Sequence, residues 1–471
     1  MKRIIKFSSV LLAISMLLAM LPAGAYASTD AWDGTSIDVT WYNTNATQFT
    51  IMTPAQLAGL AAIVNGTEEG IEKDSFAGKT VKLGADIDLG GKNWTPIGRR
   101  TGSSTYDPFA GVFDGCGHTI SNLSITYDIT GQMYNGQPIA FVGCVGLFGY
   151  TEGIAQNRVE IKNVTLIGTL IISSETGNTA TSIFGFAGLV GVTKNTDITD
   201  CIVDVDVTDN SNTTRNVQYI GGIVGLGYTL NIERCINLGN IRCNAPKDRY
   251  IGGLVGGLQT PPYIIKDCCN KGEVSVSASI DPNFGYTAGL VGYLSLGKSE
   301  GVDTSYICNC FNTGTITGGT QGNSMTFNAA LVAYIINQYT LHVENNYYLE
   351  SSCEKAIGFI GSNEVNIPSI AKTIDELTAA EFITTLNTSG NGAWKLGLTY
   401  PILVCQPDEV PPGDITRSGS VDENDVTHLI GHILGTNPLD PHLAGVGDMN
   451  RDSLIDENDV TYLTQTVMTA D

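Results

Sequence analysis

Two segments near the C-terminus have the residue types and spacing of a cation site. Gly447 to Thr461, GDMNRDSLIDENDVT, places Asp448, Asn450, Asp452, Asp456 and Asp459 at positions 1, 3, 5, 9 and 12 of a loop. Gly413 to Thr427, GDITRSGSVDENDVT, repeats the arrangement upstream with the same DENDVT tail. Calcium is a hard cation that takes roughly six to eight oxygen ligands, and a twelve-residue loop supplies them from positions 1, 3, 5, 7, 9 and 12. The second loop then offers Asp448, Asn450, Asp452, the carbonyl of Leu454, Asp456 (directly or through water) and Asp459. The first offers Asp414, Thr416, Ser418, the carbonyl of Ser420, Asp422 and Asp425. Two Ca2+ sites are expected. Loop two has four carboxylates against three, so it is expected to bind more tightly. Gly419 fills the sharply turned position 6 of loop one, where loop two has Ser453 at a strain cost on the order of 1 kcal/mol. The charge count outweighs that cost. Position 8 is apolar in both copies, Val421 and Ile455, and predicts that the loops pair through a short strand.

Other chemistries find little footing. Glycoside hydrolysis needs two carboxylates flanking the scissile bond. Asp204 and Asp206 share a strand face, but in a chain with 47 acidic residues such a pair reads as solvated surface. There is no H-E-x-x-H and no G-x-S-x-G. Of five histidines, His428, His432 and His442 lie beside the calcium-type loops, and His118 sits in the DGCGHTI turn, where a structural role is expected. No catalytic residue is assigned.

The elements that must position these loops follow from the rest of the chain. Lys2, Arg3 and Lys6 precede the apolar run VLLAISMLLAMLP, and AYA closes at Ala27, the pattern of a secretory signal peptide. The chain has 47 acidic and 25 basic residues, a balance that repels nucleic acid and anionic lipid and suits an extracellular cation-binding protein. The middle repeats itself: GLFG ends at Gly149, GLVG at Gly191, GGIVG at Gly225, GGLVG at Gly256 and AGLVG at Gly292, with a worn AALVA ending at Ala333. ITDCIVDV, IERCINLGNI, IKDCCNKGEV and ICNCFNTGTI align without gaps. The alignment stacks Cys201, Cys235, Cys268 and Cys310, an Asn column (Asn237, Asn270, Asn312) and a Gly column (Gly239, Gly272, Gly314). Short strands repeated in one direction predict a parallel β-helix with rungs about 4.8 Å apart. The Asn column would bond from rung to rung, and the cysteines are read as buried spacers, with an inter-rung disulfide left open. Cys268 and Cys269 should point to opposite faces. TPAQLAGLAAIVNG predicts a helix with Thr53 as N-cap, Pro54 first and Gly66 as its stop. TIDELTAAEFITTLN predicts a capping helix, and AWKLGLTYPILV a final strand pair.

QLAGLAAIVNG, FAGKTVKLGADIDLGG, FDGCGHTISNL and the GLVG copies resemble the GLUG-repeat proteins of bacterial surfaces. That resemblance covers most of residues 50–404 and implies a right-handed parallel β-helix of adhesin type, without implying a reaction. The duplicated loop, each copy followed by a helix (VTHLIGHIL, VTYLTQTVM), is similar to the type I dockerin domain. That family implies calcium-dependent binding to a cohesin module on a scaffolding protein or cell surface. The positions matching its contact residues are Glu423, Asn424, Val426 and Leu429, then Glu457, Asn458, Val460 and Leu463. The family's Lys-Arg pair is replaced by Ile430 and Gly431, and by Thr464 and Gln465.

The expected fold is mainly β: a right-handed parallel β-helix with a small α/β N-terminal cap, plus a small all-α calcium-binding dockerin domain. The expected division is signal peptide 1–27, N-terminal cap 28–105, repeats 106–350, C-terminal cap 351–404, linker 405–412 and dockerin-like domain 413–471. The expected function is a secreted protein that docks into a cellulosome-like or cell-surface complex. Its β-helix would be a non-catalytic binding or adhesion module in polysaccharide degradation, with polysaccharide or surface glycan as a further partner. The alternative is a divergent β-helix glycoside hydrolase or polysaccharide lyase acting on plant cell walls. No nucleic-acid partner and no membrane insertion are expected.

Overall fold

A computed structural model describes residues 31–469, apart from 103–104, 129–132, 135–136, 139–142, 174–182, 212–216, 245–248, 278–284, 296–304, 319–325, 337–340, 362–368, 389–391, 398–399, 407–412, 417, 419, 437–438, 440–443, 448 and 450–454. The expected signal peptide, most of the linker and much of loop two therefore lie outside the described residues. No described helix is long and apolar enough to cross a membrane. The chain divides into two compact units, Asp30–Leu396 with Pro401–Cys405, and a C-terminal unit from Gln406 onward.

The larger unit is built of parallel strands. One long sheet runs Gln48–Ile51, Thr80–Leu83, Val112–Asp114, Val159–Lys162, Val190–Thr199, Val224–Glu233, Val255–Gln259, Val291–Ser295, Val332–Ile336 and Ile357–Gly361. A short sheet runs from Cys144–Val145 through Ile183–Ala187, Val217–Gly221, Arg249–Gly252 and Gly285–Ala288 to Thr326–Ala329. A third runs from Ile87–Asp88 through Thr119–Asp128, Thr165–Ser173, Ile202–Asp209, Ile236–Asn237, Cys269–Asn270 and Phe311–Asn312 to Asn346–Leu349 and Ser369–Lys372. From Cys144 to Leu349 the chain visits the short, long and third sheets in turn, several repeats giving the long and third sheets two short strands rather than one. The long-sheet segments that begin in the GLVG motif are buried on both faces and read as continuous apolar runs, whereas third-sheet strands such as Ile202–Asp209 alternate between buried and more exposed residues.

The GLVG motif has a steric meaning. A Cβ on its first glycine would meet the Asn column: Gly222 against Asn237, Gly253 against Asn270, Gly289 against Asn312, all at 2.2–2.3 Å. A Cβ on its last glycine would strike the short sheet's backbone, as at Gly225 against Phe186 N (2.4 Å) and Gly256 against Ile220 N (2.4 Å). The motif therefore lets one sheet lie directly on another. The Asn column bonds as expected. Asn237 Nδ2 donates to Asn270 Oδ1, and Asn270 Nδ2 to Asn312 Oδ1, each at 2.8 Å. Each Nδ2 also donates to the carbonyl of Gly239, Gly272 or Gly314 in its own rung. Those three glycines do not make the corner by positive φ. Close stacking selects them, since a Cβ on Gly272 would lie 2.0 Å from Gly239 O. The corner is made instead by Asn163, Asp200, Arg234, Asp267, Asn309 and Asn345, all with φ between 51° and 58°. Asn and Asp tolerate this region best. Arg234 is held there by a two-pronged bond to Asp200 at 2.7 and 2.8 Å.

Each column cysteine follows one of these corners. Cys201, Cys235, Cys268 and Cys310 are fully buried, and each thiol donates to the carbonyl two residues earlier, at 3.1–3.3 Å. All eleven cysteines are free thiols. Burial pushes the Cys201 and Cys268 thiols well above their usual range, which keeps them protonated donors.

The caps differ from expectation in two respects. Helix α1 (Pro54–Asn65) has Thr53 as N-cap and Gly66 in the left-handed region, as read from the sequence. Yet Gln48–Ile51 already pairs in parallel register with Thr80–Leu83, which in turn pairs with Val112–Asp114, so parallel pairing begins within residues 28–105. Near the other end, the single expected helix is two: α2 (Ile374–Thr378), capped by a Thr373–Glu376 box, and α3 (Ala380–Thr388). The break falls at Ala379, whose backbone is extended. Phe382 of α3 and Trp394 pack on Phe311, and Phe382 also on Tyr347, so this segment covers a flank of the third sheet. Cys269, in register with Phe311, is buried on that flank, away from Cys268. The final strand pair is present as antiparallel Trp394–Lys395 and Ile402–Leu403.

Candidate calcium loops and docking face

The C-terminal unit holds three described helices: α4 (Glu423–Ile433), α5 (Ala444–Gly447) and α6 (Glu457–Thr469). Ile415, Val426, Leu429 and Leu463 form its core, with Val421, Ile430, Ile433, Leu439, Val446, Met449, Ile455, Val460 and Val467 packed around them. Each calcium-type loop ends by starting a helix. Asp422 caps α4 by accepting the N–H of Asn424 at 2.7 Å, and Asp456 accepts that of Asn458 at 2.7 Å. An acid here satisfies a free helix donor and faces the positive end of the helix dipole.

Position 12 gathers the loop. Asp425 is fully buried and accepts the Thr416 N–H and hydroxyl, each at 2.8 Å, and the Asp422 N–H at 2.8 Å. Asp459 is equally buried and accepts the N–H of Met449 at 2.7 Å and of Asp456 at 2.9 Å. In loop one, Asp414 is buried and accepts the Ser418 N–H at 2.9 Å, and the Ser418 hydroxyl donates to Ser420 O at 2.9 Å. These partners of Asp425 are neutral donors, and a buried carboxylate is costly without a positive partner. The two buried carboxylates, hydroxyls and carbonyl of loop one are an all-oxygen set, which fits a hard cation. Among the described residues, no three acidic, histidine or cysteine side chains converge as a metal site. Asp448, Asn450, Asp452 and Leu454 lie outside the described residues. No strand bridge joins Val421 to Ile455 among the described residues; both residues enter the apolar cluster instead.

With this geometry in place, the comparison is direct. Residues 412–468 match the family model of the dockerin type I domain. This segment is a type I dockerin, and such domains bind cohesin modules, typically with Ca2+. No curated protein matches the chain. Among solved structures, the chain is similar to a crystal structure from Bacteroides ovatus described as "a putative immunoglobulin A1 protease", at 19% identity and a TM-score of 0.47. The match covers 77% of this chain and 94% of that one.

The residues expected to meet a partner differ in exposure. Glu423, Asn424, Glu457 and Asn458 are exposed. Val426, Leu429 and Leu463 are buried in the dockerin's own core, and Val460 is partly buried against it. The residues one step round each helix are exposed instead: Thr427 and His428 on α4, Thr461 and Tyr462 on α6.

In the larger unit, Asp206 is engaged by the Asn240 N–H and side-chain amide and lies 3.6 Å from Arg242. Asp204 lies beside Ile167 in the pairing register. Asp204 is exposed, yet partial desolvation by the surrounding chain, with Asp206 beside it, raises its carboxyl above its usual range. His118 pairs with Asp86 at 3.1 Å, the structural role expected of it.

Sequence reasoning missed an aromatic seam. Tyr219, Tyr250, Tyr286 and Phe327 stack along the short sheet at 5.0, 5.1 and 5.9 Å, with rings within 15° of parallel. Tyr293, Tyr334 and Phe359 stack along the long sheet opposite. The signal was present: each short-sheet aromatic stands three residues before the first glycine, or its alanine equivalent, of the next GLVG copy. The rings cover one another's faces along the seam, and Phe359 at its end is exposed.

Proposed function

We propose that this is a secreted docking protein whose dockerin plugs into a cohesin module when both loops hold Ca2+. The ligands would be Asp414, Thr416, Ser418, Ser420 O, Asp422 and Asp425 in one loop. Asp448, Asn450, Asp452, Leu454 O, Asp456 and Asp459 would serve in the other, with the tighter binding there. The observation that carries this reading is the duplicated arrangement at position 12, where Asp425 and Asp459 are buried alike and draw in the N–H groups of their own loops. Bound Ca2+ would supply the positive charge these carboxylates face, and the loops would then fix the N-termini of α4 and α6, where Glu423, Asn424, Glu457 and Asn458 stand.

The larger unit is read as one closed right-handed β-helix of GLUG type, acting as a non-catalytic binding or adhesion module for polysaccharide. Its support is the recurring order of strands from Cys144 to Leu349: short sheet, long sheet, third sheet, then the next rung. The mutual covering of the seam's aromatic faces, and Asp206's ties to Asn240 and Arg242, supply nothing for the hydrolase or lyase alternative.

The experiment is a binding assay of the mature protein against type I cohesin modules, with calcium and with chelator. Binding is expected in calcium alone; binding that survives chelation overturns the docking mechanism. Incubation with pectins, xylans and celluloses tests the other half. New reducing ends or unsaturated products above background would sink the non-catalytic reading.

A further inference from the structure

The two halves of the dockerin are alike in sequence but not in what they expose. Glu423 and Glu457, Asn424 and Asn458, and Thr427 and Thr461 are identical pairs, exposed at matching places on α4 and α6. The next exposed position breaks the pattern. It is His428 on α4 and Tyr462, 53% exposed, on α6. A second break follows at the helix ends. Leu434 is half-buried as the C-cap of α4, whereas α6 runs on to Thr469 and exposes Met468 at 54%.

A helix turns by about 100° per residue. Tyr462 and Met468 therefore flank a polar strip of Asn458, Thr461 and Gln465, opposite the buried edge of Val460, Leu463 and Val467. Two apolar side chains bordering hydrogen-bonding groups are the composition of a recognition patch, and tyrosine is among the residues that most often anchor one. It brings a large contact area with few rotors and a hydroxyl that tolerates water or a polar partner. On α4 the corresponding places carry an exposed imidazole and a leucine already half spent on the dockerin itself.

We infer that the α6 face takes the cohesin, with Tyr462 as its specificity-determining residue and the α4 face subordinate. This rests on the docking reading above. The partner surface that fits is a cohesin face with an apolar recess for the phenol ring, bordered by basic or neutral groups opposite Glu457. An acidic surround would be repelled by Glu457 in a chain whose formal net charge is −22.

The test uses the full mature chain in calcium, titrated with a type I cohesin that the unaltered chain binds. Tyr462→Ala is expected to weaken binding by about tenfold or more, and His428→Ala by less than about twofold. Tyr462→Phe keeps the ring and is expected to retain most of the affinity. Calcium titration of each variant shows whether the loops still form. The exchange His428→Tyr with Tyr462→His should move the binding face to α4 and recover affinity. Equal losses for the two alanine variants, or loss only in the double variant, would overturn the inference while leaving docking intact. Failure of the unaltered chain to bind any cohesin in calcium would instead overturn the docking reading and this inference with it.

Discussion

At position 12 of each loop one buried carboxylate gathers its own loop, and the proposal above makes it a calcium ligand as well. Asp459 accepts the Met449 and Asp456 N–H groups while buried, so Asp459→Asn keeps the side chain's size, removes its charge and turns an amide toward one of two donors. Calcium affinity at that site should fall by about tenfold or more, reducing a two-site titration to one site; calorimetry showing two unchanged sites would contradict the ligand assignment. A second residue sets a pH dependence. His432 Nδ1 accepts the Leu439 N–H at 2.9 Å, and burial lowers its pKa below the ordinary histidine range. Both favour the neutral ring in the folded state, while the unfolded chain takes up a proton near pH 6.5. The unfolded state therefore binds more protons in the window below that value, and stability is lost as pH falls from there to the depressed folded pKa. His432→Asn, which offers Oδ1 in place of Nδ1, should remove this component from the melting temperature measured between pH 7 and 5. Equal pH slopes for the two proteins would show that His432 does not contribute. The loops themselves were legible because their information is local, with acids at fixed offsets and a repeated tail. The helix faces were not, because whether Val426 and Leu463 point outward depends on how α4 and α6 pack, which no loop motif encodes.

At the scale of the element, the rung is the unit that sequence and structure share. The Asn ladder and the glycine facing it form one device, since each Asn fills the space that a Cβ on Gly222, Gly253 or Gly289 would take. Asn270→Ala leaves the Asn312 side-chain oxygen without its donor and removes the bond from Asn237, so it should cost roughly 1–3 kcal/mol. Gly253→Ala should cost at least as much, because its Cβ would lie 2.2 Å from Gly289 O as well as against Asn270. Urea unfolding of both variants checks this; a loss within about 0.5 kcal/mol for both would mean that the ladder relaxes around them. The Asn and Cys columns were legible because like residues stack at a constant offset. The start of the ladder was not, since Gln48–Ile51 and Thr80–Leu83 carry no repeat motif and declare themselves only by pairing. The aromatic seam was missed for a related reason. Tyr250 meets Tyr293 at 4.6 Å across two sheets, a contact that exists only once the chain has turned back over itself.

On the scale of the whole molecule, the two compact units differ in what can stabilise them. The larger is held by parallel ladders, packed apolar columns and buried hydrogen bonds, with the buried Arg249–Asp209 pair among them. Among the described residues, the smaller buries Ile415, Val426, Leu429 and Leu463 and keeps Asp414, Asp425 and Asp459 out of water. A ligand that binds only the folded form stabilises it by RT ln(1 + [L]/Kd), about 2.7 kcal/mol when calcium is a hundred times its dissociation constant. That increment belongs to the unit containing the loops. Calorimetric scans of the intact mature protein should therefore show two transitions. The dockerin's should shift upward with calcium and collapse in chelator, and that of the parallel-sheet unit should stay in place. Asp425→Asn combined with Asp459→Asn should reproduce the chelator scan in the presence of calcium. A calcium-dependent shift of the larger transition would show that a cation also binds among the repeats, and would break the division of labour between a metal-gated plug and a metal-independent ladder.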